Sequence, residues 1–298
     1  MKFCVVALAI CACAAAAYHS VAACAAASAS AWLNSHPNAV VAHRGCWRGT
    51  AENSLQALRN CEALGIQAFE GDVRATKDGV LVWIHDPTLD RTTNLSGSIA
   101  DLTYAQIKEA RLKSGPGGSQ SSLTDQKLPR LEEILEASRH LIAVLDIKDG
   151  SYEATYRLVH AAKAEKRVII IAYAGPQQIA QFSFYGKIAF IPVVIQCQPA
   201  QVAQSCYSEA TIRSAAVFRS YAALNPVAYF VGASADTLAA LAPVASKSGI
   251  RLADAVDDDA VGASQDVRTI WRSELREGVS VFFSSRPLEL EHAIGEAR

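Results

Sequence analysis

Short apolar runs alternate along the chain with segments of helical character. Most of the runs are continuous, which is typical of parallel strands buried on both faces. They predict nine strands: Ala39–His43, Gln67–Val73, Val80–His85, Leu141–Ile147, Val168–Tyr173, Ile188–Ile195, Val227–Val231, Ile250–Ala255 and Val279–Ser284. The predicted helices include Ser54–Leu64, Leu131–Ser138, Tyr152–Lys166, Thr237–Ser248 and Asp266–Glu277. Repeated strand–helix units indicate an α/β protein with a parallel sheet.

One of the nine strands lies too close to its predecessor to run parallel to it. Only six residues separate Val73 from Val80, and they contain the turn sequence Lys77-Asp78-Gly79. A parallel crossover needs about a dozen residues. We therefore expect a β-hairpin excursion after strand two. Eight parallel strands remain, which favours a TIM (β/α)8 barrel over an open doubly wound sheet.

The first thirty residues differ in composition from the remainder. Lys2 precedes a nearly continuous run of small apolar residues, and an Ala/Ser-rich stretch follows it. This pattern predicts a secretory signal peptide over residues 1–30, because the run is shorter than the roughly 20 residues of a membrane span. We expect one domain over residues 31–298, no transmembrane segment in the mature chain, and a periplasmic or secreted location. Lipidation of Cys24 is an alternative.

Export affects how the remaining cysteines are interpreted, because disulfides persist in oxidising compartments. Cys197 and Cys206 bracket a short polar loop and are the first candidates for a disulfide. Cys46 follows the first strand and Cys61 lies on the next helix, so these two could form a second bridge. Buried unpaired thiols are the alternative for both pairs.

The charge of the chain argues against a nucleic-acid partner. The formal net charge is −1 over 298 residues, whereas nucleic-acid-binding domains carry a basic surface. We expect a small-molecule substrate.

Three carboxylates lie near the ends of predicted strands, where the active site of a TIM barrel is built. Glu70 and Asp72 are two residues apart on one strand and therefore point to the same face, and Asp146 is near the end of the next parallel strand. Buried carboxylates are costly unless a hard divalent cation neutralises them. We predict a metal site, with structural ion pairs to Arg74 or Lys148 as the alternative.

Two histidines accompany these carboxylates. His43 ends the first strand, and the hairpin returns His85 to the same end of the barrel. Because histidine transfers protons near neutral pH, the two form a candidate acid/base pair. The guanidinium of Arg44 can clamp a phosphate through two hydrogen bonds. The alternative for Arg44 is an ion pair with Glu52 or Asp86.

Two further features adjoin the candidate site. Glu52 and Asn53 open the helix after strand one and are candidate supporting residues, although Asn53 could simply cap the helix. Residues 90–129 contain a predicted helix near Tyr104–Leu112 and then a segment rich in Gly and Ser. That segment is either a flexible surface loop or a rim of the substrate pocket.

The order of these motifs resembles the glycerophosphodiester phosphodiesterase family. The matching motifs are His43-Arg44-Gly45, Glu52-Asn53, Glu70-Gly71-Asp72-Val73, Thr76-Lys77-Asp78-Gly79, His85-Asp86 and Leu89-Asp90-Arg91-Thr92. The resemblance implies a PLC-like TIM barrel that hydrolyses glycerophosphodiesters to glycerol 3-phosphate and an alcohol, with Ca²⁺ or Mg²⁺ as cofactor. It assigns proton transfer to His43 and His85, metal binding to Glu70, Asp72 and Asp146, and phosphate contacts to Arg44 and Lys148.

The sequence departs from the family pattern at four places. Ala51 replaces the usual proline, Asp146 replaces a longer Glu, Ser284-Ser285 replaces Thr-Asp, and Ala253-Asp254-Ala255-Val256 replaces an aromatic segment. The chemistry stays in place, but the pocket rim differs. A phosphodiesterase acting on lysophospholipids or another phosphodiester is therefore one alternative, and a non-catalytic barrel that only binds ligand is another.

Overall fold

Eight parallel strands close into a barrel in a computed structural model, which describes residues 28–196, 206–255 and 266–295. The strands of the structure are β1 (Ala39–Ala42), β2 (Ala68–Ala75), β3 (Leu81–Trp83), β4 (Arg111–Lys113), β5 (Leu123–Lys127), β6 (Ile142–Ile147), β7 (Val168–Ala172), β8 (Ala189–Gln196), β9 (Cys206–Tyr207), β10 (Tyr229–Gly232), β11 (Leu252–Ala255) and β12 (Val279–Ser284). The barrel consists of β1, β2, β6, β7, β8, β10, β11 and β12, and β1 closes it by pairing with both β2 and β12. The predicted TIM barrel is confirmed.

Helices alternate with the barrel strands. They are α1 (Ala29–Ser35), α2 (Leu55–Leu64), α3 (Tyr104–Ile107), α4 (Leu131–Ala137), α5 (Tyr152–Ala161), α6 (Pro176–Ile179), α7 (Glu209–Arg213), α8 (Ala216–Ala222), α9 (Ala235–Lys247), α10 (Val267–Arg276) and α11 (Pro287–Gly295). Side-chain N-caps fix several starts, such as Ser234 for α9 and Asp266 for α10. Among the described residues, no helix has the length and apolarity needed to span a membrane.

The strand after β2 runs antiparallel to it, as predicted. Val73 pairs with Trp83, and Gly79 at the turn has a φ of 81°, which favours glycine. Beyond β3, the Ile84 amide donates to the Asp72 carbonyl at 2.8 Å. The hairpin therefore returns the chain to the level of Asp72 on β2.

Residues 104–127 differ from the prediction. The helix ends at Ile107, and Arg111–Lys113 instead forms β4, which pairs antiparallel with β5. The reason is the packing of Leu112, which is buried between two half-exposed neighbours in a period-two pattern. The helix predicted over Tyr104–Leu112 is therefore wrong in its second half.

The barrel interior is filled by alternate residues of the strands, including Val41, Val144 and Val281. The helix α1 adds Trp32 and Leu33 to this cluster. The helix α1 begins at Ala29, within the segment predicted as a signal peptide, and Ser28 is its N-cap. Residues 1–27 of that segment, with Cys24, lie outside the described residues.

A disulfide joins Cys46, in the loop after β1, to Cys61 on α2, with 5.1 Å between their Cα atoms. This predicted bridge is confirmed. Cys197 lies outside the described residues, so its bridge to Cys206 stays a prediction.

Candidate active site

Three buried carboxylates meet at the carboxyl ends of β2 and β6. These strands are neighbours whose register places Asp72 opposite Asp146, and Glu70 lies two residues earlier on the same face of β2. One oxygen from each carboxylate lies within 4.8 Å of the others. All three residues are at most 7% exposed. The parallel pairing of β2 with β6 thus brings together residues that are more than seventy positions apart.

The carboxylates strongly affect one another. Burial and the charges of Asp72 and Asp146 raise the pKa of Glu70 well above its usual value. Burial also raises the pKa of Asp146. Burial alone would raise the pKa of Asp72 as well, but Lys148 and other nearby positive groups lower it. The charged forms of Glu70 and Asp146 are therefore disfavoured, whereas nearby positive groups favour the charged form of Asp72.

Lys148 is a partial counter-charge for this cluster. Its Nζ lies 2.6 Å from Oδ2 of Asp146 and 3.2 Å from Oδ1 of Asp72, and the two carboxylates raise its pKa against the effect of burial. Of the two ion pairs considered as an alternative, the one to Lys148 is present. Arg74 instead donates to the backbone carbonyl of His85. The buried Oδ1 atom of Asp146 accepts no hydrogen bond, and that of Asp72 has only its ion pair with Lys148.

His43 lies immediately after β1, beside Glu70. Its backbone amide donates to the Ser284 carbonyl at 3.0 Å, which extends the pairing of β1 with β12 by one residue. Its Nε2 is 3.9 Å from Oε2 of Glu70. Burial, followed by the charge of Arg44, lowers the pKa of His43 to about 4.

His85 lies at the end of the hairpin, directly after Ile84, whose amide donates to the Asp72 carbonyl. Its Nδ1 is 2.8 Å from Oδ1 of Asp86, and this contact orients the imidazole ring. About a third of the side chain is exposed, since its fractional accessibility is 35%. The structure therefore places both predicted histidines beside the carboxylate cluster.

Arg44 approaches the cluster through both its backbone and its side chain. It adopts a positive φ of 57°, and its amide donates to Oε2 of Glu70 at 3.0 Å. The next residue, Gly45, also has a positive φ, and a Cβ there would lie 2.9 Å from that of Ala57. The Arg44 guanidinium donates to Oε2 of Glu52 at 2.9 Å, so the predicted alternative ion pair exists. Its buried Nε has no hydrogen-bond partner.

Asn53 orients Asp72 and does not cap α2. Its Nδ2 donates to Oδ2 of Asp72 at 2.8 Å, and its Oδ1 accepts from the Asp72 amide at 3.3 Å. The N-cap is Ser54, whose hydroxyl accepts from the Ala57 amide. The conformation that permits this arrangement has a φ of 51° at Asn53.

Two side chains that the sequence did not single out also contact the site. The Tyr173 hydroxyl donates to Oδ2 of Asp146 at 3.1 Å. Arg91 donates to both Asp86 and Glu52. The available signals were the position of Tyr173 at the carboxyl end of a predicted strand and that of Arg91 within the Leu-x-Arg-Thr motif.

Residues 43–259, well over half of the chain, match the glycerophosphoryl diester phosphodiesterase family. The chain belongs to this family. A glycerophosphodiester phosphodiesterase from Caldanaerobacter subterraneus subsp. tengcongensis is 34% identical over 144 residues, which cover 45% of this chain and 57% of the relative. Glycerophosphodiester phosphodiesterase 1 from Homo sapiens is 34% identical over 125 residues, which cover 40% of this chain and 37% of that protein. The matches thus span about half or less of these relatives.

Solved structures share the barrel over most of its length. A glycerophosphoryl diester phosphodiesterase from Parabacteroides distasonis superimposes with a TM-score of 0.69 at 24% identity, covering 89% of this chain and 90% of the other. A phosphodiesterase from Oleispira antarctica, solved with the product sn-glycerol-3-phosphate, gives a TM-score of 0.64 at 18% identity, covering 88% and 99%. At these identities the likeness shows the fold.

Proposed function

We propose that this family member hydrolyses glycerophosphodiesters to glycerol 3-phosphate and an alcohol in a metal-dependent reaction. The observation that carries the proposal is the buried cluster of Glu70, Asp72 and Asp146, with His43 beside Glu70 and His85 close enough for its charge to lower the pKa of Asp72. The family match and the named relatives support the same reaction class.

The donor set fits a hard divalent cation. Three carboxylates supply oxygen ligands, and the Oδ1 atom of Asp146 is a buried acceptor without a hydrogen bond that a cation would satisfy. We assign Glu70, Asp72 and Asp146 as the ligands of Ca²⁺ or Mg²⁺. When bound, such an ion polarises the phosphoryl group and stabilises the charge that develops on it.

The two histidines move the protons of the hydrolysis. One takes the proton of the attacking oxygen, and the other donates a proton to the alcohol oxygen as its bond to phosphorus breaks. His43 and His85 are suited to these tasks because the first lies beside Glu70 and the second follows Ile84, whose amide donates to the Asp72 carbonyl. Asp86 keeps the His85 ring in place for its proton transfer.

Arg44 and Lys148 bind the phosphate. The Nε of Arg44 makes no hydrogen bond and lies 3.7 Å from Oδ2 of Asp72, and Lys148 lies between two of the metal ligands. Guanidinium and ammonium groups are the side chains that bind phosphate oxygens most strongly. Glu52 and Asn53 support this arrangement by holding Arg44 and Asp72.

We further propose that the protein works in an oxidising compartment outside the cytoplasm, either periplasmic or secreted. The Cys46–Cys61 disulfide supports this location, because such bonds are rare in reducing compartments. The signal-like composition of residues 1–30 is consistent with it.

The first experiment is hydrolysis of glycerophosphocholine by the secreted form, with EDTA and then with added Ca²⁺ or Mg²⁺. We expect EDTA to abolish turnover, the cation to restore it, and His43→Ala to remove it by at least about 100-fold. The control is His140→Ala, which changes an exposed histidine away from the site. An inactive wild type with metal bound would contradict the proposal. Turnover only of lysophospholipid micelles would reassign the substrate.

A further inference from the structure

The guanidinium group of Arg91 connects two separate parts of the site. Its Nε donates to Oδ2 of Asp86 at 2.7 Å, and its Nη2 donates to Oδ1 of the same carboxylate at 2.8 Å. That Nη2 also donates to Oε1 of Glu52 at 2.8 Å. The bond to Asp86 is bidentate, which fixes direction as well as distance.

Each of these two carboxylates also holds a residue of the proposed reaction. Oδ1 of Asp86 contacts Nδ1 of His85 at 2.8 Å, and Oε2 of Glu52 accepts from Arg44 at 2.9 Å. Glu52 is only 3% exposed, so the contacts occur where water competes weakly. The hydrogen bonds of Arg91 are also the largest cause lowering the pKa of Asp86.

The Gly-rich segment between β4 and β5 holds Arg91 in place through hydrogen bonds to its side chain and its backbone. The Arg91 side chain donates to the Pro116 carbonyl, and its own carbonyl accepts from the Gly118 amide at 2.7 Å. A Cβ on Gly117 would lie 2.4 Å from the Arg91 carbonyl oxygen, so only glycine allows this approach. The Glu52 amide donates to the Gly115 carbonyl as well. This segment therefore packs against both ends of the Arg91–Glu52 pair.

We propose that Arg91 is a positioning residue that fixes His85 and Arg44 relative to each other through Asp86 and Glu52. Arg91 then holds both the group that transfers a proton and the group that binds the phosphate. A phosphodiester bound by Arg44 is therefore in a fixed orientation relative to the His85 imidazole. This inference rests on the proposed function for the roles of His85 and Arg44. It adds a residue that contacts neither substrate nor metal.

A test compares Arg91→Met and Arg91→Lys with the matched control Arg139→Met. Arg139 forms an ion pair with Glu136 on the surface, where its side chain is 69% exposed, and such pairs contribute little. Asp86→Asn disrupts only the connection from Arg91 to His85, and Glu52→Gln disrupts only the connection from Arg91 to Arg44. For each variant, the measurements are kcat on glycerophosphocholine, the inhibition constant of glycerol 3-phosphate, the affinity for Ca²⁺ and the melting temperature.

Asp86→Asn should mainly lower kcat, and Glu52→Gln should mainly weaken the binding of glycerol 3-phosphate. Arg91→Met should have both effects. We expect effects of about 10- to 100-fold, in the range found for residues that orient catalytic groups. Arg91→Lys keeps the charge but loses the bidentate geometry and should be intermediate. Ca²⁺ affinity should stay within about twofold of the wild type, because no metal ligand contacts Arg91.

The proposal is overturned if Arg91→Lys matches the wild type in both constants, or if activity falls only in proportion to the loss of folded protein. Removal of one partner of a buried ion pair strongly destabilises a protein. If Arg91→Met does not fold, the kcat and the inhibition constant of Arg91→Lys test the proposal. An inactive wild type would contradict the proposed function instead. The binding of glycerol 3-phosphate would then still test the connection from Arg91 through Glu52 to Arg44. A wild type that does not bind glycerol 3-phosphate would refute both proposals.

Discussion

Gly71, between two of the proposed metal ligands, offers the sharpest structural test of the site. Its missing side chain would point at Trp83 of β3, and an ideal Cβ would lie 2.1 Å from Cζ2 and 2.3 Å from Cε2 of that ring. Ordinary contacts begin at 3.4 Å. Trp83 is only 1% exposed and packs against Phe69, so it cannot turn away into solvent.

Gly71→Ala should therefore destabilise the protein and disturb metal binding together. Overpacking of this kind costs about 1–3 kcal/mol, and because the overlap is with a rigid ring we expect a loss of about 3 kcal/mol. At about 2–4 °C per kcal/mol, the melting temperature should fall by about 6–12 °C. Because β2 must shift to relieve the contact, the rise in melting temperature on adding Ca²⁺ or Mg²⁺ should also shrink.

The assay is thermal and urea unfolding with and without the divalent cation. Gly232→Ala on β10 is the matched control, since a Cβ there makes only ordinary contacts, at 3.7 Å from Ile195. Its expected effect is within about 1 kcal/mol. Trp83→Leu removes the opposing ring atoms, so adding Gly71→Ala to it should cost about 2 kcal/mol less than in the wild type. A Gly71→Ala protein with unchanged melting temperature and metal response would refute the reasoning.

Three further predictions concern other contacts. Tyr173→Phe should weaken Ca²⁺ binding by about tenfold in calorimetry, because Asp146 loses the hydroxyl that orients it; an unchanged affinity would contradict this role. Cys61→Ser opens a bridge between residues 15 positions apart and should lower the free energy of unfolding by about 3 kcal/mol, whereas equal urea midpoints with and without reductant in the wild type would disprove that contribution. Arg251→Met removes the guanidinium that donates to the carbonyls of Leu33 and three other residues and should lower the free energy of unfolding by about 2 kcal/mol; an unchanged urea midpoint would contradict this role.

The sequence alone was sufficient for the barrel strands, the hairpin and the motif order. Continuous apolar runs such as Val168–Ala172 record burial on both faces, and a turn of six residues excludes a parallel crossover. These are local properties of the chain, so they can be recognised without knowledge of the partners. The carboxylate cluster was also predictable, because residues at the carboxyl ends of parallel strands meet at one end of a barrel.

Tertiary structure decided what those side chains contact. Asn53 was as compatible with a helix cap as with an Asp72 contact, and only the positive φ and the approach of β2 select the second. Arg111 and Leu112 were predicted as the end of a helix, but they belong to β4, which pairs with β5. The bridge from Arg91 to Glu52 joins residues 39 positions apart. Hydrogen-bond partners at such separations depend on how whole elements pack, and no local periodicity or turn preference records that packing.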